Sequence, residues 1–222
     1  MKKLIIGIVV ILIIGYLALT LMGFTGLSRP KDLGVRYTDA DLASLQAKAP
    51  YRTEYAEGDK TLVYSGKMEV KDSFTSEEIT ARLNSNQWKY NTMTDTQVRI
   101  NPDGTAEISG KIKKAFVDET LDAFKVNIDK DILDKATMLP ADPVYYAKGK
   151  VTIIDNKISG DVEELKIGSF DIPKDQIPKG RIISVFEKAL ADVPNLDIRK
   201  MEFVDGKMNL DATSPQVVTV GK

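Results

Sequence analysis

Few residues in this chain have types and spacings that could do chemistry. Ser28-x-x-Lys31 has the spacing of a serine–lysine dyad, in which an amine takes the hydroxyl proton. Pro30 lies inside it and a long apolar run ends beside it, so the two side chains share no helical face and the match is one of chance. Asp129, Asp131 and Asp134 cluster like cation ligands, but the loop lacks the glycine and the closing glutamate of an EF-hand. Aspartates favoured by the dipole at a helix N-terminus account for them. Glu77-Glu78 and Glu163-Glu164 offer paired carboxylates, yet adjacent residues point apart on a helix or strand, which makes them surface residues and not an acid and a base. Trp88, the sole tryptophan, stands beside Lys89 and Tyr90 and has a face that a sugar or a membrane interface would accept; a packing role is the plainer expectation.

Composition removes most of what remains. Cysteine and histidine are both absent, which excludes thiol nucleophiles, disulfides, Ser-His-Asp relays, and zinc or haem sites built on those ligands. No glycine-rich phosphate loop and no dinucleotide fingerprint occurs, since the glycines fall at turns and strand ends. The 31 basic and 32 acidic residues are interspersed, so there is no basic surface for nucleic acid. No cofactor and no enzymatic activity are expected.

The elements that position these residues begin with an anchor. Leu4 to Phe24 is a run of 21 uncharged residues, including Leu4, Ile5, Leu12, Leu19 and Phe24. As a helix it would extend roughly 31 Å, the thickness of a hydrocarbon core. Lys2 and Lys3 precede it, as in an export signal, and no Ala-x-Ala cleavage site follows. The expectation is a single-pass plasma-membrane protein with a cytoplasmic N-terminus and an extracytoplasmic C-terminal domain. Residues 1–28 then form the signal anchor, 29–60 a linker with a short helix at Asp39 to Ala49, and 61–222 an extracytoplasmic α+β domain.

Within that domain, Thr61 to Asp72 alternates apolar and polar residues like a strand with one buried face. Thr75-Ser-Glu-Glu78 is a capping box that starts a helix running to about Asn84. In Asn101-Pro102-Asp103-Gly104 the proline and glycine suit a three-residue hairpin loop pairing Asn101 with Thr105, which sets Ile100 opposite Ala106 and Val98 opposite Ile108. Asp155-Asn156 sets Ile153 opposite Ile158, and Asp205-Gly206 sets Phe203 opposite Met208 and Met201 opposite Leu210. Helical spacing recurs at Phe116 to Phe124, at Asp131 to Met138, and through Ile182, Ile183, Phe186, Ala189, Leu190 and Val193 until Pro194. The fold class expected is α+β: an N-terminal transmembrane helix followed by a curved antiparallel sheet wrapped on one or two long helices.

Gly34-Val-Arg-Tyr-Thr-Asp-Ala-Asp-Leu42, Thr75-Ser-Glu-Glu-Ile79 with Leu83-Asn84, and Gln97-Val-Arg-Ile-Asn-Pro-Asp-Gly104 carry a likeness. The chain resembles uncharacterised bacterial membrane-anchored envelope proteins of the YpmS type and, more distantly, tubular lipid-binding (TULIP-like) and AsmA-like domains. That resemblance implies a curved sheet around a long helix, an apolar tunnel that holds lipid in some relatives, and no fixed functional motif. The groove lining expected here is Val98, Ile100, Ile108, Ile153, Ile158, Ile182, Phe186, Leu190, Phe203 and Met208. Expected partners are the membrane, through the N-terminal helix, and a lipid or lipid-linked envelope precursor; the alternative is an envelope protein docked by a scaffold domain with a filled core.

Overall fold

The structure is a computed structural model that describes residues 29–57, 62–85, 88, 90–113, 115, 142–168, 170–177 and 179–221. The expected anchor and the expected helices at 116–124 and 131–138 lie outside the described residues, as do Ser28 and the aspartates at 129, 131 and 134. No described helix is long and apolar enough to cross a membrane.

The described chain is α+β, with a curled antiparallel half-barrel sheet, a small second sheet and three α-helices. The helices are α1 (Asp39–Lys48), α2 (Ser76–Asn84) and α3 (Lys179–Ala191). The longest of the three described helices, α3, has 13 residues and covers the helix expected through Ile182 to Val193. Strands β3 (Met68–Phe74), β10 (Lys207–Ser214), β9 (Asp197–Val204), β6 (Val144–Ile154), β5 (Ala106–Ile112) and β4 (Met93–Ile100) follow one another across the main sheet. Strand β7 (Lys157–Ile167) pairs with β6 along its length and β8 (Phe170–Asp171) with the far end of β7. The second sheet places β11 (Val217–Gly221) between β1 (Arg52–Ala56), its parallel partner, and β2 (Leu62–Ser65).

Turn chemistry places the hairpins. Asn101 pairs with Thr105 through the Asn101 N–H at 2.8 Å, and Val98 then faces Ile108 and Ile100 faces Ala106. Asp155-Asn156 and Asp205-Gly206 each have positive φ at both residues, the backbone of the tight turn that matches strand twist. They set Ile153 against Ile158 and Phe203 against Met208. Thr61 to Asp72 is not one strand: the chain breaks at Gly66-Lys67, sending β2 to the second sheet and β3 to the first.

The apolar side chains of the main sheet collect on one face. There α1 lays Leu45 and Ala49 on Val70 and Phe74, with Ile79 of α2 alongside, while Ile153, Ile198 and Ala212 form a second cluster that includes Leu190 of α3. Leu33, Val35, Leu45 and Ala49, within the segment 29–60 read from sequence as a linker with a short helix, thus pack onto the domain. Leu33 and Val35 bury against Tyr146. Trp88 is also buried, edge-on to Tyr90 and beside Val220.

Sheet curvature has a local cause. The β6–β7 register slips between Lys148 and Gly149, a bulge that bends the hairpin. At the same point the partner of β6 on its other edge changes from β5, which pairs as far as Gly149, to β9, which pairs from Ile153. Gly149 and Gly160 lie where the two backbones approach most closely: a Cβ on Gly149 would strike the Asp161 carbonyl, and one on Gly160 the Lys150 carbonyl. Because the obstacle is backbone, Gly160→Ala is expected to cost about 1–3 kcal/mol, read as a lower urea midpoint; an unchanged midpoint would mean that the hairpin is less tightly coiled than described.

The edge of β4 is closed by side chains of α2. Ser76, Thr80 and Asn84, four residues apart on one helix face, accept hydrogen bonds from the outward N–H groups of Ile100 (2.9 Å), Val98 (2.9 Å) and Thr96 (3.1 Å). The Asn84 amide donates back to the Thr96 carbonyl at 2.7 Å, and the Thr80 hydroxyl lies 3.3 Å from that of Val98. A polar stripe thus stands in for a further strand and removes an edge that would otherwise template aggregation.

Candidate functional site

The opposite face of the sheet is polar and holds two hubs of charge. Glu107, 4% exposed, accepts from Arg99 at 2.5 and 3.0 Å, from the Tyr146 hydroxyl at 2.8 Å and from Asn101 at 3.1 Å. Lys31 lies 3.6 Å from the same carboxylate and 3.6 Å from the Tyr146 ring centre. Burial alone would raise the pKa of Glu107, but the bonds from Arg99, Tyr146 and Asn101 overturn that and hold it at about 2. Burial and the bond to Glu107 push the Tyr146 phenol up. The Arg99 guanidinium also reaches the Leu33 carbonyl at 3.2 Å, so this hub fastens the connector to the sheet. The second hub is Arg199, which joins Asp211, Thr213 and Glu69 across three strands.

Glu78, expected at the surface, is instead buried. Burial raises its pKa, but Lys48 at 2.6 Å, Ser44 at 2.5 Å and the Thr75 N–H at 2.9 Å more than reverse that, and the carboxylate locks α1 to α2. Glu163 faces Lys148 at 3.3 Å and Glu164 is exposed, so neither pair works as a dyad. Among the described residues no group of three or more acidic side chains is placed to hold a metal.

The concavity with an apolar interior lies elsewhere, between α3 and the β6–β7 hairpin. Ile182, Ile183, Phe186 and Leu190 form one stripe of α3 and face Val151, Ile153, Ile158 and Val162 of the hairpin, enclosing about 360 Å3. No polar atom is exposed in its walls. Gly160 contributes no side chain beneath the helix, and Glu187 of α3 accepts from the Ile158 N–H at the outer edge of β7 at 3.0 Å. Leu190 packs into the cluster of Ile153 and Ile198. Phe186 is 59% exposed, a large apolar side chain left at the rim.

Of the residues singled out from sequence, Ile153, Ile158, Ile182, Phe186 and Leu190 come together in this groove. The rest do not. Val98 and Ile100 are buried on β4, and Ile108 faces Val98 from β5. Phe203 pairs with Met208 near the tip of the β9–β10 hairpin, and Met208 packs in the cluster under α1. Sequence reasoning misses Val151, Val162 and Gly160, although the register set by Asp155-Asn156 places all three on the face of Ile153 and Ile158. It also misses Lys150, Asp161 and Lys179 at the open end.

A wider, polar cleft of about 1010 Å3 lies between α1, β1 and the end of α2. Its aromatic face is already taken, since the Arg82 guanidinium sits 4.1 Å from the ring centre of Tyr51.

No family model matches the chain, and no curated protein or solved structure matches it either.

Proposed function

We propose that this chain is a membrane-anchored, extracytoplasmic, non-enzymatic domain whose groove under α3 holds the acyl part of a lipid or lipid-linked envelope precursor. The observation that carries the reading is the groove: an apolar cavity of about 360 Å3, within the size range of ligand pockets, with Phe186 exposed at its rim. The uncharged run from Leu4 to Phe24 supports the location, because it has the length of a membrane span.

Magnitudes fit a domain that works beside its lipid source. Burying ten methylenes contributes about 8 kcal/mol, and association costs at least about 4, which leaves at most about 4 kcal/mol, a Kd in the millimolar range or weaker for the tail alone. An anchor that keeps the groove next to a bilayer raises the effective lipid concentration to that same range.

The test is native mass spectrometry of the full chain, released from detergent-free discs in the gas phase, with organic extraction of what remains bound. Wild type is expected to keep a discrete added mass that extracts as lipid, and Phe186→Asp to lose most of it. Bare protein in both samples would sink the reading. That result would favour the alternative of an envelope scaffold, for which the exposed Phe186 is a docking residue.

A further inference from the structure

We infer that the groove selects an amphiphile with a single acyl chain and an anionic head, of the fatty-acid or lysophospholipid class, with the head seated against Lys179. The inference rests on the acyl-binding reading above and narrows it. Two observations carry it, one of size and one of charge.

The size admits one chain. Scaled from a 150 Å3 apolar cavity that holds the six carbons of benzene, about 360 Å3 takes roughly 14 carbons. A diacyl lipid would leave its second chain in water against Phe186 and gain little from the groove.

The charge is asymmetric along the groove. At the end where α3 begins, Lys179 contributes apolar atoms to the wall, and its ammonium reaches past the apolar lining to pair with Asp161 of β7. Lys174 lies in the short 3-10 turn just before α3. The hydrogen bond from Lys179 holds the Asp161 carboxyl below its usual range, against a smaller opposing effect of burial, and the charges of Lys179 and Lys174 add to it. Two lysines thus act on one aspartate. The first turn of α3 contains no acid to offset them.

The pair of Lys179 with Asp161 is solvent-exposed on both sides, at 39% and 53%, so it is easily exchanged for a better anion. A carboxylate or phosphate on a bound tail brings that anion to the lysine at no further cost of association. At the opposite end Glu187 accepts from the Ile158 N–H and lies 4.0 Å from Lys157, so the one lysine described there stands beside a carboxylate, and Leu190 packs against Ile153 and Ile198.

The experiment uses the full chain in peptide-based, detergent-free discs, with cis-parinaric acid as a fluorescent single-chain probe. Phe186→Asp, whose substitution lies at an exposed position, supplies the background from partition into the disc. Tetradecanoate is expected to displace the probe at a concentration about tenfold lower than tetradecanol or tetradecyltrimethylammonium. Lys179→Gln should bring that ratio close to one, and Lys179→Arg should preserve it, both with an unchanged melting temperature. If the three amphiphiles displace equally from wild type, the anionic head is wrong and the acyl-binding reading stands. A ratio that survives Lys179→Gln overturns the assignment to that lysine. If wild type and Phe186→Asp give the same probe signal, both readings fail together.

Discussion

Glu107→Gln is expected to destabilise the domain by about 3 kcal/mol near neutral pH, and to remove a pH dependence that wild type shows in acid. The carboxylate is buried and receives four hydrogen bonds, two of them from Arg99. Glutamine keeps the shape but loses the charge, leaving Arg99 and Lys31 without their anion. The lower end of the range for broken buried pairs applies, because Arg99 is 44% exposed and water can recover part of the loss. The sign of the pH effect follows from a folded pKa of about 2 against an ordinary 4.5. A depressed carboxylate contributes stability that is complete above the unfolded value and is lost as pH falls toward the folded one. The shift is worth about 3 kcal/mol, so urea midpoints of wild type should fall between roughly pH 4.5 and 2 more steeply than those of Glu107→Gln. Parallel midpoints in the two proteins would show that Glu107 is not the titrating hub described.

Thr80→Val is the second large effect. The two side chains have nearly the same shape, but valine cannot accept from the Val98 N–H, which Thr80 meets at 2.9 Å in a site with no solvent exposure. An orphaned buried N–H costs about 1–3 kcal/mol, and the Val98 carbonyl loses its contact with the hydroxyl as well, so a loss of about 3 kcal/mol is expected. Thr80→Ser, which retains the hydroxyl, should recover most of it. Amide exchange gives the local readout: protection of Thr96, Val98 and Ile100 should fall together in Thr80→Val and persist in Thr80→Ser. Loss of protection at Val98 alone would mean that the three bonds are independent and that α2 does not act as one cover for the edge.

What is legible in the sequence is what is local in it. Asn101 to Thr105, Asp155-Asn156 and Asp205-Gly206 state their turns within five residues, and the period-2 alternation on either side agrees with them, so three strand registers follow from the residue order alone. The capping box at Thr75 and Glu78 belongs to the same class. What stays hidden depends on where elements meet. Whether Val98 and Ile153 line the same cavity is decided by the change of partner along β6, and no local pattern encodes it. Glu78 reads as a surface residue because its partners, Ser44 and Lys48, lie thirty or more residues away. The stripe of Ser76, Thr80 and Asn84 is present at helical spacing, yet a polar stripe ordinarily faces water; here it faces the backbone of β4. For the groove, helical spacing picks out Ile182, Phe186 and Leu190, while the lysines at its mouth carry no periodic signal at all.

The strand order also sets a sequence of events in time. Among the described residues, β1 and β2 pair only with β11, and at the outer edge of the main sheet β3 pairs only with β10. The first three strands therefore find their partners in residues 207–221, far along the chain from them. A chain that is still being made would hold three unpaired strands with their edges open, and closing them waits on contacts of long sequence separation. A growing chain must be kept from pairing with its neighbours until β10 and β11 arrive, and a chain cut short before Lys207 would lack the partners of all three strands.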